Sequence, residues 1–142
     1  MPDSIEAKEK DYLYIQTSQL PNAGNGLFTS IDIFKDEVIS LFKGESLSDK
    51  EAAKRAKNKE DGYFINMLDG TILDSKNTFC FAKYANDSQG LKKTAYVYNA
   101  EISLNDEEEV CLVALKKIKK GEEIFCSYGK KYWQKFKKEH SS

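Results

Sequence analysis

Three short segments carry residue types that could bind a ligand or take part in catalysis. Residues 23–28 (Ala-Gly-Asn-Gly-Leu-Phe) place two glycines one residue apart, which lets backbone groups approach a ligand closely. Residues 86–88 (Asn-Asp-Ser) offer an amide and a carboxylate in a turn. Residues 121–129 end in a tyrosine and a glycine, and the Tyr128 hydroxyl could orient or polarise an amine. Each segment alone is explained more simply as a surface turn or a packed tyrosine.

The composition excludes several kinds of chemistry. The only histidine, His140, stands third from the end of the 142 residues. A histidine-ligated metal site or a Ser-His nucleophile needs a histidine held inside the fold, so we expect neither. Three cysteines, at positions 80, 111 and 126, are too far apart for a CxxC site, and we expect them to be reduced and buried. The sequence therefore predicts no metal.

Charge and hydropathy bear on partners and location. The net charge is −1, which argues against nucleic acid as a partner. No apolar run reaches the roughly 18 residues of a membrane span, and five of the first ten residues are charged. We therefore expect no membrane segment and an intracellular protein, cytoplasmic or nuclear. The length corresponds to one domain.

The elements that must position these segments are mostly short strands separated by turns. A capping box at residues 48–51 predicts a helix of two to three turns over residues 52–59. Residues 130–140 have aromatic residues at helical spacing and predict a second short helix or a packed tail. Alternating or aromatic-rich segments predict strands at 12–15, 37–42, 63–74 (a hairpin around Asp69-Gly70), 94–104, 110–115 and 123–128. The acidic turn at residues 105–109 predicts a second hairpin, between 94–104 and 110–115.

The order and spacing of the three segments resemble the SET domain family of protein lysine methyltransferases. Residues 34–39, 98–101 and 118–124 resemble further family motifs, and the resemblance runs from about residue 12 to residue 133. It implies a mainly β fold, the β-clip SET fold, with several small antiparallel sheets and two or three short helices. A knot-like threading of the C-terminal segment is also implied. We expect a flexible N-terminus over 1–11, the SET domain over 12–133 and a basic helix or tail over 134–142.

The resemblance implies the cofactor S-adenosylmethionine and a protein or peptide substrate that carries a target lysine, such as a histone tail. By position, Tyr128 would be the catalytic tyrosine beside the methyl transfer. The residues expected to contact the cofactor are Ala23, Gly24, Asn25, Asn86, Asp87, Tyr84, Tyr63 and Trp133. The residues expected to line the substrate lysine channel are Phe42, Phe125, Cys126 and Tyr128.

Two departures from the family pattern affect what is expected of this chain. Asp87 stands where the family usually has histidine, and the zinc-binding cysteines that often follow the catalytic tyrosine are absent. The channel wall must then come from the tail aromatics Tyr132, Trp133 and Phe136, or from a second chain in a homodimer. Cys126 is smaller than the phenylalanine or tyrosine common at its position, which leaves room for more than one methyl transfer.

Three functions remain open at this stage. The first is methyl transfer from S-adenosylmethionine to the ε-amine of a lysine in a histone or another protein. The second is a catalytically weak or inactive SET-like module that binds S-adenosylmethionine or a peptide. The third is a related β-clip domain with a sugar-binding or structural role, against which Asn86 and Tyr128 argue.

Overall fold

Short strands make up most of the regular structure. The computed structural model describes residues 3–21, 23–60, 63–67, 71–87 and 97–127. In chain order the strands within these residues are β1 (Asp3–Ser4), β2 (Leu13–Thr17), β3 (Asn25–Thr29), β4 (Glu37–Leu41), β5 (Glu45–Leu47), β6 (Phe64–Asn66), β7 (Ile72–Asp74), β8 (Ala100–Leu104), β9 (Val110–Ala114), β10 (Glu123–Ile124) and β11 (Cys126–Ser127).

The strands described form three small sheets. The largest has the order β1-β4-β9-β8-β11, and the other two have the orders β10-β3-β2 and β5-β7-β6. All neighbours pair antiparallel except the two outer pairs of the large sheet, β1 with β4 and β11 with β8. The prediction of a mainly β protein built from several small antiparallel sheets is confirmed.

Both predicted hairpins have paired strands. β8 and β9 are joined by an acidic turn in which the Asn105 Oδ1 accepts the N–H groups of Glu107 and Glu109 at 3.0 and 2.9 Å. This side chain therefore supplies the acceptor that fixes the turn. β6 and β7 also pair antiparallel, while the Asp69-Gly70 turn between them lies outside the described residues.

The segment predicted as one strand over residues 123–128 is divided between two sheets. β10 pairs with β3, and β11 pairs with β8. Between them Phe125 forms an isolated parallel bridge with Asn86. The chain changes sheets here because a different partner strand lies on each side of Phe125, which the local pattern of residues does not reveal. Residues 123–127 therefore join two sheets close to Asn86.

The helices are short, as expected. Those within the described residues are α1 (Glu9–Tyr12), α2 (Asp49–Lys57) and a 3-10 helix at Ala82–Tyr84. The helix or tail predicted over residues 130–140 lies outside the described residues. The predicted cap of α2 is present, because the Ser48 Oγ accepts the Glu51 N–H at 3.3 Å. None of the helices in the described ranges is long and apolar enough to cross a bilayer.

The residues before β2 are attached to the large sheet. β1 lies beside β4, and the Glu9 carboxylate accepts bonds from the Ser40 hydroxyl and the Leu41 N–H. The buried Tyr12 hydroxyl donates to the Ile39 carbonyl at 2.6 Å. Three residues of the stretch predicted as a flexible N-terminus, at positions 3, 4 and 9, thus contact β4.

The core lies on β9 and the elements around it. All five residues of β9 are buried, and the core cluster includes Leu27, Ile33, Ile39, Phe42, Leu112, Ile118, Ile124 and Cys126. Burying apolar side chains of this size stabilises a fold by roughly 1.5–3 kcal/mol each. The three cysteines are buried free thiols, as predicted.

The only arginine of the chain ties α2 to the sheet of β5, β6 and β7. The Arg55 Nη1 lies 2.8 Å from Asp74 Oδ2, and its Nη2 lies 3.1 Å from Glu45 Oε2. Asp74 is fully buried, so its charge needs this partner. Hydrogen bonds to Glu45 and Asp74 raise the pKa of Arg55, and Arg55 lowers the pKa of Glu45. The planar guanidinium can serve both carboxylates at once.

Arg55→Ala should lower the melting temperature, because it leaves the buried Asp74 carboxylate without its cation. Arg55→Lys should recover only part of the loss, since one ammonium cannot reproduce the forked geometry. Thermal unfolding followed by circular dichroism measures both. The control is Lys76→Ala, which removes the ion pair between Lys76 and Glu60. The side chains of this pair are 40% and 41% exposed, so the pair should contribute little to stability. An equal shift for Arg55→Ala and Lys76→Ala would contradict this role.

Candidate functional site

The loop at residues 23–25 is made of the end of the connection from β2 and the first residue of β3, and its backbone requires glycine. Gly24 has φ +72°, a left-handed conformation in which a side chain is strained. Its carbonyl accepts the Ser18 N–H at 2.8 Å. A Cβ built on Gly24 meets no atom within 4 Å, and both Gly24 and Asn25 are exposed. The loop therefore presents its backbone on an open side of the molecule.

Asn86 connects this loop to the strand that leads to Tyr128. Its Nδ2 donates to the Asn25 carbonyl at 3.0 Å, across 61 positions of sequence. Its backbone carbonyl accepts the Cys126 N–H at 3.0 Å. The three segments singled out in the sequence thus meet at one residue, Asn86. Asn86 acts as a junction, as well as offering polar groups of its own.

Asp87 and Cys126 lie close enough to influence each other. Burial raises the pKa of the Cys126 thiol, and the negative charge of Asp87 raises it further. The thiol Sγ donates to the Ala85 carbonyl at 3.7 Å. Cys126 is therefore a protonated, buried thiol, unsuited to act as a nucleophile. Asp87 is half-buried next to the Asn86 junction.

Tyr63 and Tyr84 are brought together by a lysine that the sequence analysis did not single out. The Lys83 Nζ lies 5.4 Å from the Tyr63 ring centroid and 5.6 Å from that of Tyr84. The same nitrogen donates to the carbonyls of Ser75 and Thr78, each at 3.0 Å. The two tyrosine rings therefore both lie against the Lys83 ammonium, and Tyr84 stands two positions before Asn86 in the sequence. The position of Lys83 directly before Tyr84 was the one available signal.

The residues predicted for the lysine channel have two different surroundings. Phe42 and Cys126 belong to the same buried core cluster. Phe125, 4% exposed, instead lines a cleft of about 440 Å³ together with Val97, Asn99 and other side chains. Tyr128 and Trp133 lie outside the described residues, as do Tyr132 and Phe136.

Two buried polar residues that the sequence analysis left without a role organise the segment before Tyr128. The Asn99 Nδ2 donates to the Glu123 carbonyl at 2.9 Å, and its Oδ1 accepts the Phe125 N–H at 2.8 Å. The Glu123 carboxylate accepts the Ser18 hydroxyl at 2.6 Å. Both residues stand in motifs that carry the family resemblance, which was the signal available for them.

Among the described residues, no group of three His, Cys, Asp or Glu side chains could hold a metal ion.

Gly26, the second glycine of the loop, is required by close packing. A Cβ at this position would lie 2.9 Å from the Glu123 Cδ and 3.2 Å from the Ser18 Cβ. Glu123 is 2% exposed and hydrogen-bonded, so it cannot move aside freely. The glycine allows β3 to pass over this carboxylate.

Gly26→Ala should therefore destabilise the fold by about 1–3 kcal/mol, the usual cost of overpacking. Denaturant unfolding measures the free energy of unfolding. Asn25→Ala, at the exposed neighbouring position, should change it by less than about 0.5 kcal/mol. Equal stability of Gly26→Ala and the unmodified chain would show that the packing around Glu123 is looser than the contacts indicate.

Comparison with known proteins identifies relatives across most of the chain. The SET domain family model matches residues 24–129. The histone-lysine N-methyltransferase EZH2 of Chaetomium thermophilum is 30% identical over 125 residues, which cover 79% of this chain and 8% of that protein. The histone-lysine N-methyltransferase mes-2 of Caenorhabditis elegans is 29% identical over 109 residues, which cover 75% of this chain and 14% of that protein.

Solved structures give the same result. The C. thermophilum Polycomb repressive complex 2 in an autoinhibited conformation, bound to S-adenosylmethionine, aligns with a TM-score of 0.67 and 26% identity over 90% of this chain and 17% of that one. A humanised mutant of the C. thermophilum complex bound to the inhibitor GSK126 also aligns with a TM-score of 0.67, at 28% identity, over 82% of this chain and 15% of that one. The chain thus spans less than a fifth of the length of each of these relatives.

Proposed function

The chain belongs to the SET domain family, and on that premise we propose that it transfers a methyl group from S-adenosylmethionine to the ε-amine of a lysine in a protein. The observation that carries the proposal is the junction at Asn86. One side chain bonds the exposed loop at residues 23–25, and its backbone bonds the strand that ends next to Tyr128. This junction supports the proposal because it holds the loop proposed to bind the cofactor against the strand that precedes Tyr128 in the sequence.

The groups around this junction fit the chemistry of the proposed cofactor. The backbone of Gly24 and Asn25 is exposed, and nothing within 4 Å of a built Gly24 Cβ obstructs it. Asn86 and Asp87 are half-buried beside it and offer amide and carboxylate groups for the polar ends of the molecule. S-adenosylmethionine supplies an electrophilic methyl group on a cationic sulfur. Tyr84 and Tyr63, with Trp133, are the proposed aromatic contacts.

The chain's own part in the reaction is to position and desolvate the amine. A lysine amine must be neutral to attack, and its ordinary pKa is about 10.4. A dry, apolar channel disfavours the ammonium and so lowers that pKa. Phe42 and Cys126 share the buried core cluster, and Phe125, the neighbour of Cys126 in the sequence, lines the cleft. We propose that the Tyr128 hydroxyl orients the amine in line with the methyl group, since alignment supplies much of the rate.

The proposed substrate is a protein segment that carries a target lysine. The relatives named above are histone-lysine methyltransferases, which makes a histone tail the first substrate to test. A nuclear location follows from the same proposal, with the cytoplasm as the alternative for a non-histone target. A homodimer in which a second chain completes the channel wall also remains a proposal, and sedimentation at two concentrations tests it.

A binding module without turnover is the second candidate function. It is favoured by Asp87, whose carboxylate stands where the family usually has histidine and lies near Cys126. A negative charge at this position could hold S-adenosylmethionine without promoting transfer.

Calorimetry with S-adenosylmethionine separates these candidates from the third, a β-clip domain without this cofactor. The proposal predicts saturable binding at one site per chain. Binding followed by methylation of a histone or lysate protein supports the enzyme. Binding without transfer to any protein supports the module, and an absence of binding contradicts both.

A further inference from the structure

Glu123 is a buried acid beneath the cofactor loop. It is 2% exposed, and none of the ion pairs between described residues includes it. Burying a carboxylate is costly unless hydrogen bonds replace its water. Its Oε2 accepts the Ser18 hydroxyl at 2.6 Å, and its Oε1 accepts the Gln19 N–H at 2.8 Å. Both bonds reach across more than 100 positions to the chain just before the loop.

Ser18, which Glu123 holds in place, is also hydrogen-bonded to the loop at residues 23–25. Its N–H donates to the Gly24 carbonyl at 2.8 Å, and its Oγ also accepts the Leu20 N–H at 3.1 Å. The Gly24 carbonyl is therefore fixed by a residue that Glu123 holds. Gly26 leaves the space in which the carboxylate sits.

The backbone of Glu123 is fixed as well. Asn99 bonds the Glu123 carbonyl and the Phe125 N–H, and Asn86 bonds the next N–H, that of Cys126. The loop is thus held at its base by the Glu123 side chain and at Asn25 by the Asn86 side chain. Both supports rest on the same segment, residues 123–126.

We propose that Glu123 is a positioning residue that holds the loop at residues 23–25 in the conformation that binds S-adenosylmethionine. The inference rests on the proposed function and adds a residue outside the predicted site. A loop that is already ordered loses less conformational freedom on binding, so its affinity is higher. Glu123 acts through two hydrogen bonds to Ser18 and Gln19, and its negative charge is not required for this effect.

The test compares three variants by calorimetry with S-adenosylmethionine and by steady-state kinetics. Glu123→Ala should weaken cofactor binding about tenfold, because the hydrogen bonds to Ser18 and Gln19 are both lost. The KM for S-adenosylmethionine should rise similarly, with kcat at saturating cofactor little changed. Glu123→Gln should bind nearly as well as the unmodified chain, because its amide oxygen can accept from Gln19 while the Ser18 hydroxyl accepts from its NH₂.

Glu122→Ala is the matched control. Glu122 is the neighbouring acid and also accepts a backbone N–H, that of Lys119, at 2.6 Å, but it is exposed. The Glu122→Ala variant should bind S-adenosylmethionine with unchanged affinity. The binding stoichiometry separates positioning from loss of folding, since unfolded protein lowers the number of sites and leaves the affinity of the folded fraction intact.

Where Glu123→Ala does not fold, Ser18→Ala decides the question, because it removes the Glu123 contact at the loop base and should weaken binding several-fold. Unchanged affinity in Glu123→Ala, or in Ser18→Ala where that variant decides, overturns the inference. Glu123→Gln as weak as Glu123→Ala also overturns it, since the charge would then be responsible. An unmodified chain that binds no S-adenosylmethionine contradicts the proposed function itself.

Discussion

Tyr128→Phe should reduce the rate of methyl transfer by at least about 100-fold, within the range that a single positioned hydroxyl contributes to catalysis. The aromatic ring stays in place, so the lost group is the hydroxyl that we propose orients the amine. The affinity for S-adenosylmethionine should change by less than about twofold, because the proposed cofactor contacts lie on the loop at residues 23–25 and at Asn86. Single-turnover transfer of a labelled methyl group and calorimetry measure the two effects separately.

Tyr14→Phe is the control for this substitution. Tyr14 stacks on Phe28 at a centroid distance of 5.6 Å, and the stack does not depend on its hydroxyl. This variant should transfer methyl groups at the unmodified rate. Full activity of Tyr128→Phe, or equal losses in the two variants, would contradict a catalytic role for Tyr128.

Asn86→Ala should weaken binding of S-adenosylmethionine by about 10- to 100-fold. It removes the donor to the Asn25 carbonyl and one polar group of the proposed cofactor contacts, and each such hydrogen bond is worth about 0.5–1.5 kcal/mol. The backbone bond from Cys126 to residue 86 does not need the side chain, so the strand pairing should persist. Calorimetry gives the affinity, and circular dichroism verifies the fold.

Asn58→Ala is the matched control, since Asn58 is an exposed asparagine at the end of α2. It should bind the cofactor with unchanged affinity. Asn86→Asp adds a sharper comparison, because it keeps the shape but faces the Asn25 carbonyl with a second acceptor. Affinity in Asn86→Asp equal to that of the unmodified chain would show that the Asn86–Asn25 bond does not support binding.

Sequence signals between residues close together in the chain were sufficient to predict the hairpins and the cap of α2. The acidic turn between β8 and β9 and the Ser48 cap each depend on residues within five positions of one another. The division of residues 123–127 between two sheets was not predictable in this way. It is decided by partners about 100 positions away in the case of β3, and about 25 away in the case of β8.

In the candidate site, too, motifs in the sequence predicted some residues, while others are identified only by contacts with distant parts of the chain. Asn25 and Asn86 were predicted from motifs, and the bond between them supports the grouping. Glu123 was read as a strand residue, because a glutamate beside another glutamate gives no sign of which is buried. Only the contact with Ser18 identifies Glu123 as the internal one and Glu122 as the exposed one. Tyr128 and Trp133 remain predictions from the family resemblance.

The most direct measurement of the central claim is mass spectrometry of a histone or a lysine-rich protein after incubation with this chain and S-adenosylmethionine carrying a labelled methyl group. The account predicts label on the ε-amine of lysine, dependent on the chain, and lost in Tyr128→Phe at saturating cofactor. Label that appears equally with Tyr128→Phe, or no labelled lysine in any protein although calorimetry shows that the cofactor binds, would contradict it.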